Sequence, residues 1–417
     1  PITINNYAGH TAIDYEKGAP AAENGKGEIV INHADPGSSV TLRSSVEALK
    51  EQANAEIPGL AENQFVKKIV YNGYTKGERN LGVNVHLETG VISPTLHAKL
   101  SPDDFDAAGR AMVSNKTVLS TSESEIVSGA KSALASSVMQ MRADTNDLQR
   151  RLGDVRLNSD SQGVWGKYIG GKSKITDSAY VNQNYNMAQI GYDTKRGKWI
   201  VGGALLYGTN NSDYALGSGS GKTAGLAFYG AKQFNDGRYL DIIAKGNRLK
   251  NDFTVHNSLG TSLSGDYRNT GASLSLEYGK RIKRDNGFYI DPSAELIFSR
   301  LSGESFDART NTGSTVHINS DAVNSAIGRL GIGIGKEAKN SNVFLKAALA
   351  HEFSGKMKAT YSMVGEPTTN SVVDLKDTWL DLELGGSWSF RPNTYVYGTF
   401  TKNFGSTVDT SYRVDAG

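Results

Sequence analysis

The sequence predicts an all-β chain: an antiparallel transmembrane β-barrel of about twelve strands around a lumenal α-helix, preceded by a short right-handed parallel β-helix fragment. Three observations carry this. From Gly163 to the end, apolar and polar residues alternate in long runs separated by polar loops. Just before those runs, Ser120 to Leu157 reads as one long, mostly polar helix. Before the helix, residues 1–100 are short alternations broken by Gly, Asn and Asp.

The long runs come first because they decide the class. Phe288, Ile290, Pro292, Ala294, Leu296 and Phe298 share one face, against Tyr289, Asp291, Ser293, Glu295 and Ser299 on the other. Leu380, Leu382, Leu384, Gly386, Trp388 and Phe390 alternate in the same way with Asp381, Glu383, Gly385, Ser387 and Ser389. A soluble sandwich also alternates. The strands here, however, reach roughly 9–12 residues, near the ~9–11 that cross a bilayer with tilt. Their apolar face turns aromatic toward strand ends, at Tyr192, Tyr207, Phe298, Trp388 and Phe390, as an interfacial girdle does. Their other face mixes charge with Gly, Ala and Ser, which suits a wet lumen. On that parity Asp241, Lys245, Glu277, Asp291, Glu295, Arg329, Lys346, Glu352, Asp381 and Glu383 are expected to line the pore. Strand starts fall near Val164, Ala179, Lys198, Lys222, Arg238, Gly265, Phe288, Ala322, Ser341, Asp377, Thr394 and Ser411. An even number of strands closes a sheet without edges.

The helix follows from its start signals and composition. Ser120 with Glu123, and Ser122 with Glu125, each give a capping box. Ala, Leu, Met, Gln, Arg and Glu then dominate, and no proline interrupts. From about Ala133 to Leu157 it spans roughly 36 Å, enough to cross a hydrocarbon layer. It carries Arg142, Asp144, Asp147, Arg150, Arg151, Asp154 and Arg156, a load that lipid does not tolerate. Alone it would read as a solvated connector; between these flanks it reads as a plug, with Arg142, Arg150, Arg151 and Arg156 facing the lumen.

In residues 1–100, the strands Gly27 to Ile31, Ser39 to Leu42 and Leu81 to Leu87 are too short and irregular for hairpins. They suggest rungs of a β-helix, with a small sandwich as the rival and a helical insert at about Ser44–Glu56. Ser101 to Leu119 has no clear period and reads as a linker.

Composition excludes other classes. Among 417 residues the net charge is +2, so no field points to nucleic acid, and with no cysteine there is no disulfide framework or thiol site. Forty-seven Gly and 19 Tyr against 9 Pro suit many-stranded β structure. No apolar run nears the ~18 residues of a transmembrane helix. Pro1-Ile2-Thr3-Ile4 already looks like mid-strand, so a C-terminal fragment of something longer is expected.

Several stretches together resemble the autotransporters, the type V secretion proteins of Gram-negative bacteria. Leu148 to Arg156 is similar to that family's helix-to-barrel junction, and Gly163 to Tyr168 resembles its first barrel strand. Tyr192-Asp193, then Trp199 to Tyr207, looks like the hairpin that follows; Tyr71 to Tyr74 and Leu81 to Val83 loosely resemble a passenger's end. The resemblance implies a bacterial outer-membrane translocator for its own N-terminal passenger. Residues 1–100 would be the passenger's β-helical or autochaperone-like end, 101–157 the linker and pore-spanning helix, and 158–417 the barrel. It implies outer-membrane lipid, the barrel-assembly machinery and periplasmic chaperones as partners, no nucleic acid, and an adhesin-like passenger whose surface ligand stays unknown. Tyr412 to Gly417 stops short of the terminal aromatic usual in the family. That implies either a missing end or incomplete closure of the last strand on the first, and poor insertion. The rivals are a passive porin with an extracellular domain and a soluble two-domain β protein.

The resemblance also marks Asn146-Asp147, because in secreted serine protease autotransporters an Asn in this part of the helix attacks its own backbone carbonyl. Glu277, Glu295, Asp381 and Glu383 could polarise the amide. The plain alternative is a polar Asn146 in lumen water, with those acids paired to Arg142, Arg150 and Arg151. No cofactor is expected. The seven His have no ligand spacing, so no metal site is expected. Gly331-Ile332-Gly333-Ile334-Gly335 has no phosphate-loop continuation, and its glycines are read as letting the plug approach. No Gly-Asp-Ser-Gly or Gly-x-Ser-x-Gly motif is present, so any enzyme would lie upstream.

Overall fold

Period-two alternation from Gly163 onward becomes one closed sheet in the computed structural model, which describes residues 1–15, 27–47, 66–145 and 163–417. The chain divides into two compact units: Pro1–Ser128 with Asn257–Thr261 and Ser362–Thr369, and Gly129–His256 with Ser262–Tyr361 and Asn370–Gly417.

The first unit begins with β1 (Ile2–Ile4), β2 (His10–Asp14), β3 (Ile29–Ile31), β4 (Ser38–Ser45), β5 (Ile69–Tyr71) and β6 (Leu81–Glu88). β1, β3 and β5 pair in parallel, and so do β2, β4 and β6. Register stacks like on like: Ile2, Ile29 and Ile69 in one column, Ile13, Leu42 and Val85 in another. Side chains from both sheets meet in one core around Ile31, Leu42, Ile69, Tyr71 and Val83. These parallel rungs are the expected β-helix end. It then turns antiparallel through β7 (Thr95–Leu100) and β8 (Val118–Ser122).

Two expectations are corrected here. Ser101 to Leu119 is not a free linker: Phe105 and Ala111 are buried in the same core and bridge each other. Ser120 and Ser122 do not cap the helix. They belong to β8, where cross-strand pairing to His97 and Thr95 overrides the local signal. The helix is Glu125–Asp144, and Ser124 caps it by accepting from the Val127 N–H at 3.3 Å. The expected insert at 44–56 lies mostly outside the described residues, as does the helix beyond Thr145.

The second unit holds β9 (Gly163–Ile175), β10 (Val181–Arg196), β11 (Trp199–Tyr214), β12 (Gly217–Gln233), β13 (Arg238–His256) and β14 (Ser262–Lys280). β15 (Ile282–Lys283), β16 (Phe288–Leu301), β17 (Glu304–Thr310), β18 (Thr315–Ser320), β19 (Val323–Glu337) and β20 (Ser341–Glu352) follow. β21 (Lys356–Ser362), β22 (Thr369–Asp374), β23 (Thr378–Arg391), β24 (Thr394–Phe404) and β25 (Asp409–Ala416) complete it. Among the described residues β9–β14, β16, β19, β20 and β23–β25 are the twelve staves of an antiparallel barrel. β17–β18 and β21–β22 are hairpins that prolong it. Pro292 has no N–H to offer the facing Lys280, and there β14 breaks, resuming as β15.

β25 pairs with β9 from Asp409–Lys174 to Ala416–Tyr168, so incomplete closure is not what the sheet shows. The seam carries an ion pair, Lys167 to Asp415 at 3.4 Å. The outer face is apolar: Leu205, Phe228, Ile290, Leu296, Leu330, Ile332, Leu345 and Leu384 all stand exposed, with Tyr192, Tyr207, Trp388 and Phe390. No monomer in water leaves such a belt bare, while a bilayer covers it.

Candidate functional site

The helix is polar in sequence, yet residues 129–145 are buried or half-buried on every side. Small residues make this possible. Ala130, Ser132, Ala133, Ala135, Ser136 and Ser137 keep the rod thin, and a Cβ on Gly129 would sit 2.6 Å from that of Val255. A polar rod enclosed by a polar wall must exchange water for wall hydrogen bonds. Tyr267 on β14 donates to the Ala133 carbonyl at 2.6 Å, and its oxygen is 2.7 Å from Ser137 Oγ. Asn251 on β13 donates to the same Ser137 hydroxyl at 2.6 Å, and Gln183 on β10 to the Ser136 carbonyl at 2.9 Å.

The helix's C-terminal end meets cations, where its dipole favours them. Lys245 donates to the Asp144 carbonyl, and Arg413 to that of Ala143 at 2.6 Å. Asn247 holds the Asp144 carboxylate at 3.0 Å. Arg142 reaches Glu352 at 3.6 Å and lies over the Trp379 ring.

The remaining expected lining residues also point inward. Asp241, Lys245, Glu277, Asp291, Glu295 and Glu352 are buried, while Arg329, Lys346, Asp381 and Glu383 are half-buried. Among the described residues, four of these acids pair with wall cations. Arg329 bridges Glu295 at 3.0 Å and Asp381 at 2.8 Å, Lys346 reaches Glu277 at 3.5 Å, and Arg281 takes Asp291 at 3.1 Å. Among the described residues Arg142 pairs with Glu352, which was not among its expected partners Glu277, Glu295, Asp381 and Glu383. Arg142, Glu277, Glu295, Arg329, Lys346 and Asp381 are among the residues that line a cavity inside the barrel. Asn146, Asp147, Arg150, Arg151 and Arg156 lie outside the described residues.

The lumenal glycines serve the wall, which corrects their expected role toward the plug. Each stands directly opposite an aromatic on the neighbouring strand: Gly171 by Tyr185, Gly191 by Trp165, Gly202 by Tyr229, Gly279 by Tyr239, Gly335 by Tyr289 and Gly385 by Phe344. A Cβ on any of them would collide with that ring. Gly331 admits the Lys346 stem closely, while Gly333 leaves only ordinary contact with Asp291. Sequence reasoning also missed Arg281, Tyr267, Asn251 and Arg413. The last three sit on the inward parity of strands already legible, and that parity was the available signal.

Similarity to known proteins agrees with this geometry. Residues 164–401 match the autotransporter beta-domain family. The pertactin autotransporter of Bordetella parapertussis is 28% identical over 291 residues, 66% of this chain and 30% of that protein. The BrkA autotransporter of Bordetella pertussis is 32% identical over 203 residues, 46% of this chain and 20% of that protein. The chain thus spans under a third of these relatives. The translocator domain of autotransporter NalP from Neisseria meningitidis superposes with a TM-score of 0.55 at 14% identity, covering 70% of this chain and 98% of that domain. A closed twelve-stave barrel with a bare apolar exterior, a helix hydrogen-bonded into its lumen and a matching sequence leave one assignment: the chain belongs to the autotransporter family, whose beta-domain resides in the bacterial outer membrane.

Proposed function

We propose that this chain is the translocating end of an autotransporter, exporting its own N-terminal passenger to the cell surface. The observation that carries this is the lumenal helix. It is hydrogen-bonded on several sides by β10, β13 and β14, and its chain continues directly into the N-terminal β unit. A porin has no use for a polar rod filling its lumen. The passenger is read as an adhesin or a similar surface binder, supported by its parallel rungs. Outer-membrane lipid fits the apolar belt. The barrel-assembly machinery, periplasmic chaperones and a surface ligand complete the proposed partners.

Conductance in a planar bilayer separates export from passive transport. The intact chain should be nearly closed, and deleting 120–157 should open it. An intact chain that conducts as freely as the deletion would abolish the export reading. Single-turnover scission at Asn146-Asp147 is tested separately by mass spectrometry of outer membranes, where an uncut chain rules it out.

A further inference from the structure

One row of side chains crosses the sheet of the N-terminal unit: Asp14 on β2, Arg43 on β4, His86 on β6 and His97 on β7 stand opposite one another. Asp14 takes up Arg43 at 2.6 and 2.9 Å. His86 turns elsewhere. Its Nε2 lies 2.9 Å from Glu88 Oε1 and 3.2 Å from Glu125 Oε1. Glu88 is two residues on, hence on the same strand face, and Glu125 opens the helix. One donor-type atom from each of the three lies within 4.8 Å of the other two.

Both carboxylates are braced from behind. Thr95 Oγ1 donates to Glu88 Oε2 at 3.2 Å, and Ser258 Oγ sits 2.8 and 2.9 Å from the two oxygens of Glu125. Glu88 is only 3% exposed. The His97 ring stands edge-on to His86, 5.0 Å between centroids, while its Nε2 is engaged by Ser122 at 2.7 Å.

A single imidazole N–H cannot satisfy two carboxylates at once. Even an imidazolium at His86 offsets only one of the two carboxylate charges, one of which sits on the deeply buried Glu88. A divalent cation removes both. One imidazole nitrogen and two carboxylate oxygens are ligands that Zn²⁺ and its first-row neighbours accept. Separations of 2.9 and 3.2 Å approach the edges of a coordination shell with bonds of about 2.0–2.2 Å. The hydroxyls of Thr95 and Ser258 then act as the outer shell that aims metal-binding carboxylates.

We propose that His86, Glu88 and Glu125 bind one divalent first-row cation of the Zn²⁺ type, clipping β6 to the start of the helix. The test uses the full chain folded in detergent, stripped with chelator and titrated with Co²⁺, then Zn²⁺. One equivalent of Co²⁺ should give a visible d–d band that Zn²⁺ abolishes. H86N and E88Q should each weaken uptake at least tenfold, with the barrel still folded by its heat-shifted gel mobility. H317N, which alters the exposed His317–Asp307 pair, should bind like the parent. Absence of saturable uptake by the parent overturns the proposal without reference to any variant, and would mark the cluster as a metal-free ion pair. Uptake unchanged in H86N and E88Q, or lost equally in H317N, overturns it as well.

Discussion

The Tyr267 hydroxyl donates to the Ala133 carbonyl at 2.6 Å, so a barrel side chain competes for an oxygen that the helix would otherwise use internally. Tyr267 is itself 2% exposed, and its oxygen also faces Ser137 at 2.7 Å. Tyr267→Phe keeps the ring and deletes this bond, leaving the Ser137 hydroxyl to Asn251. The helix should lose about 1–2 kcal/mol of seating. Measured in a bilayer, the variant should flicker open more often than the parent. Identical traces would mean that this bond does not hold the helix.

Tyr239 lies across Gly279 on the adjacent stave. Gly279→Val places a branched side chain where the ring rests, and overpacking of this kind costs roughly 1–3 kcal/mol. The urea midpoint for loss of heat-shifted mobility should fall. The double variant Gly279→Val with Tyr239→Ala should recover part of the loss. Additive losses would show that ring and glycine are uncoupled.

Arg329 binds Glu295 and Asp381 at once. Arg329→Met strands two carboxylates in the wall and should destabilise the barrel by about 3–5 kcal/mol. Adding Glu295→Gln and Asp381→Asn should restore most of it, because the cost lies in uncompensated charge. If the triple variant stays as weak as the single one, packing of the arginine stem is responsible instead.

Glu78 supplies a pH dependence outside the barrel. The Tyr71 hydroxyl at 2.7 Å, then His33 at 2.5 Å, hold its carboxyl below the usual glutamate range. A carboxyl depressed in the folded state stabilises above its unfolded pKa and loses that contribution as pH falls through the folded value. Unfolding of the N-terminal unit should therefore become easier as pH drops below about 4.5. Glu78→Gln should flatten this slope, as read by the protease susceptibility of residues 66–122 across that range. An unchanged slope would assign it to other carboxylates.

The barrel was the most legible part of this chain, because period two is imposed directly by a sheet with lipid outside and water within. Expected starts at Arg238, Phe288, Ser341 and Thr394 coincide with the observed strands. Only the start at Lys222 erred by more than a few residues: β12 begins at Gly217, where Gly and Ser show no alternation to read. What failed were features set by partners far along the chain. Ser120 and Ser122 carry a helix-cap spelling, but β7 recruits them as strand. The glycines at 331, 333 and 335 announce a close approach without naming the visitor, which at 331 and 335 proved to be neighbouring strands. His86 and Glu88 share a face by spacing alone. Their third companion, Glu125, lies 37 positions on, on an element of another type, and could not be inferred from local pattern.

Glu366 has a consequence for timing. Its carboxylate accepts from the N–H groups of Val91, Ile92 and Ser93 at 2.9–3.0 Å and from the Ser93 hydroxyl at 2.9 Å. These partners are separated by some 273–275 positions in the chain. Synthesis runs from the N-terminus, so the Val91–Ser93 turn is made long before the residue that completes it. The early part of this unit therefore waits for one of the last hairpins to exist. For the exported unit proposed above, the order of manufacture itself postpones this last clasp.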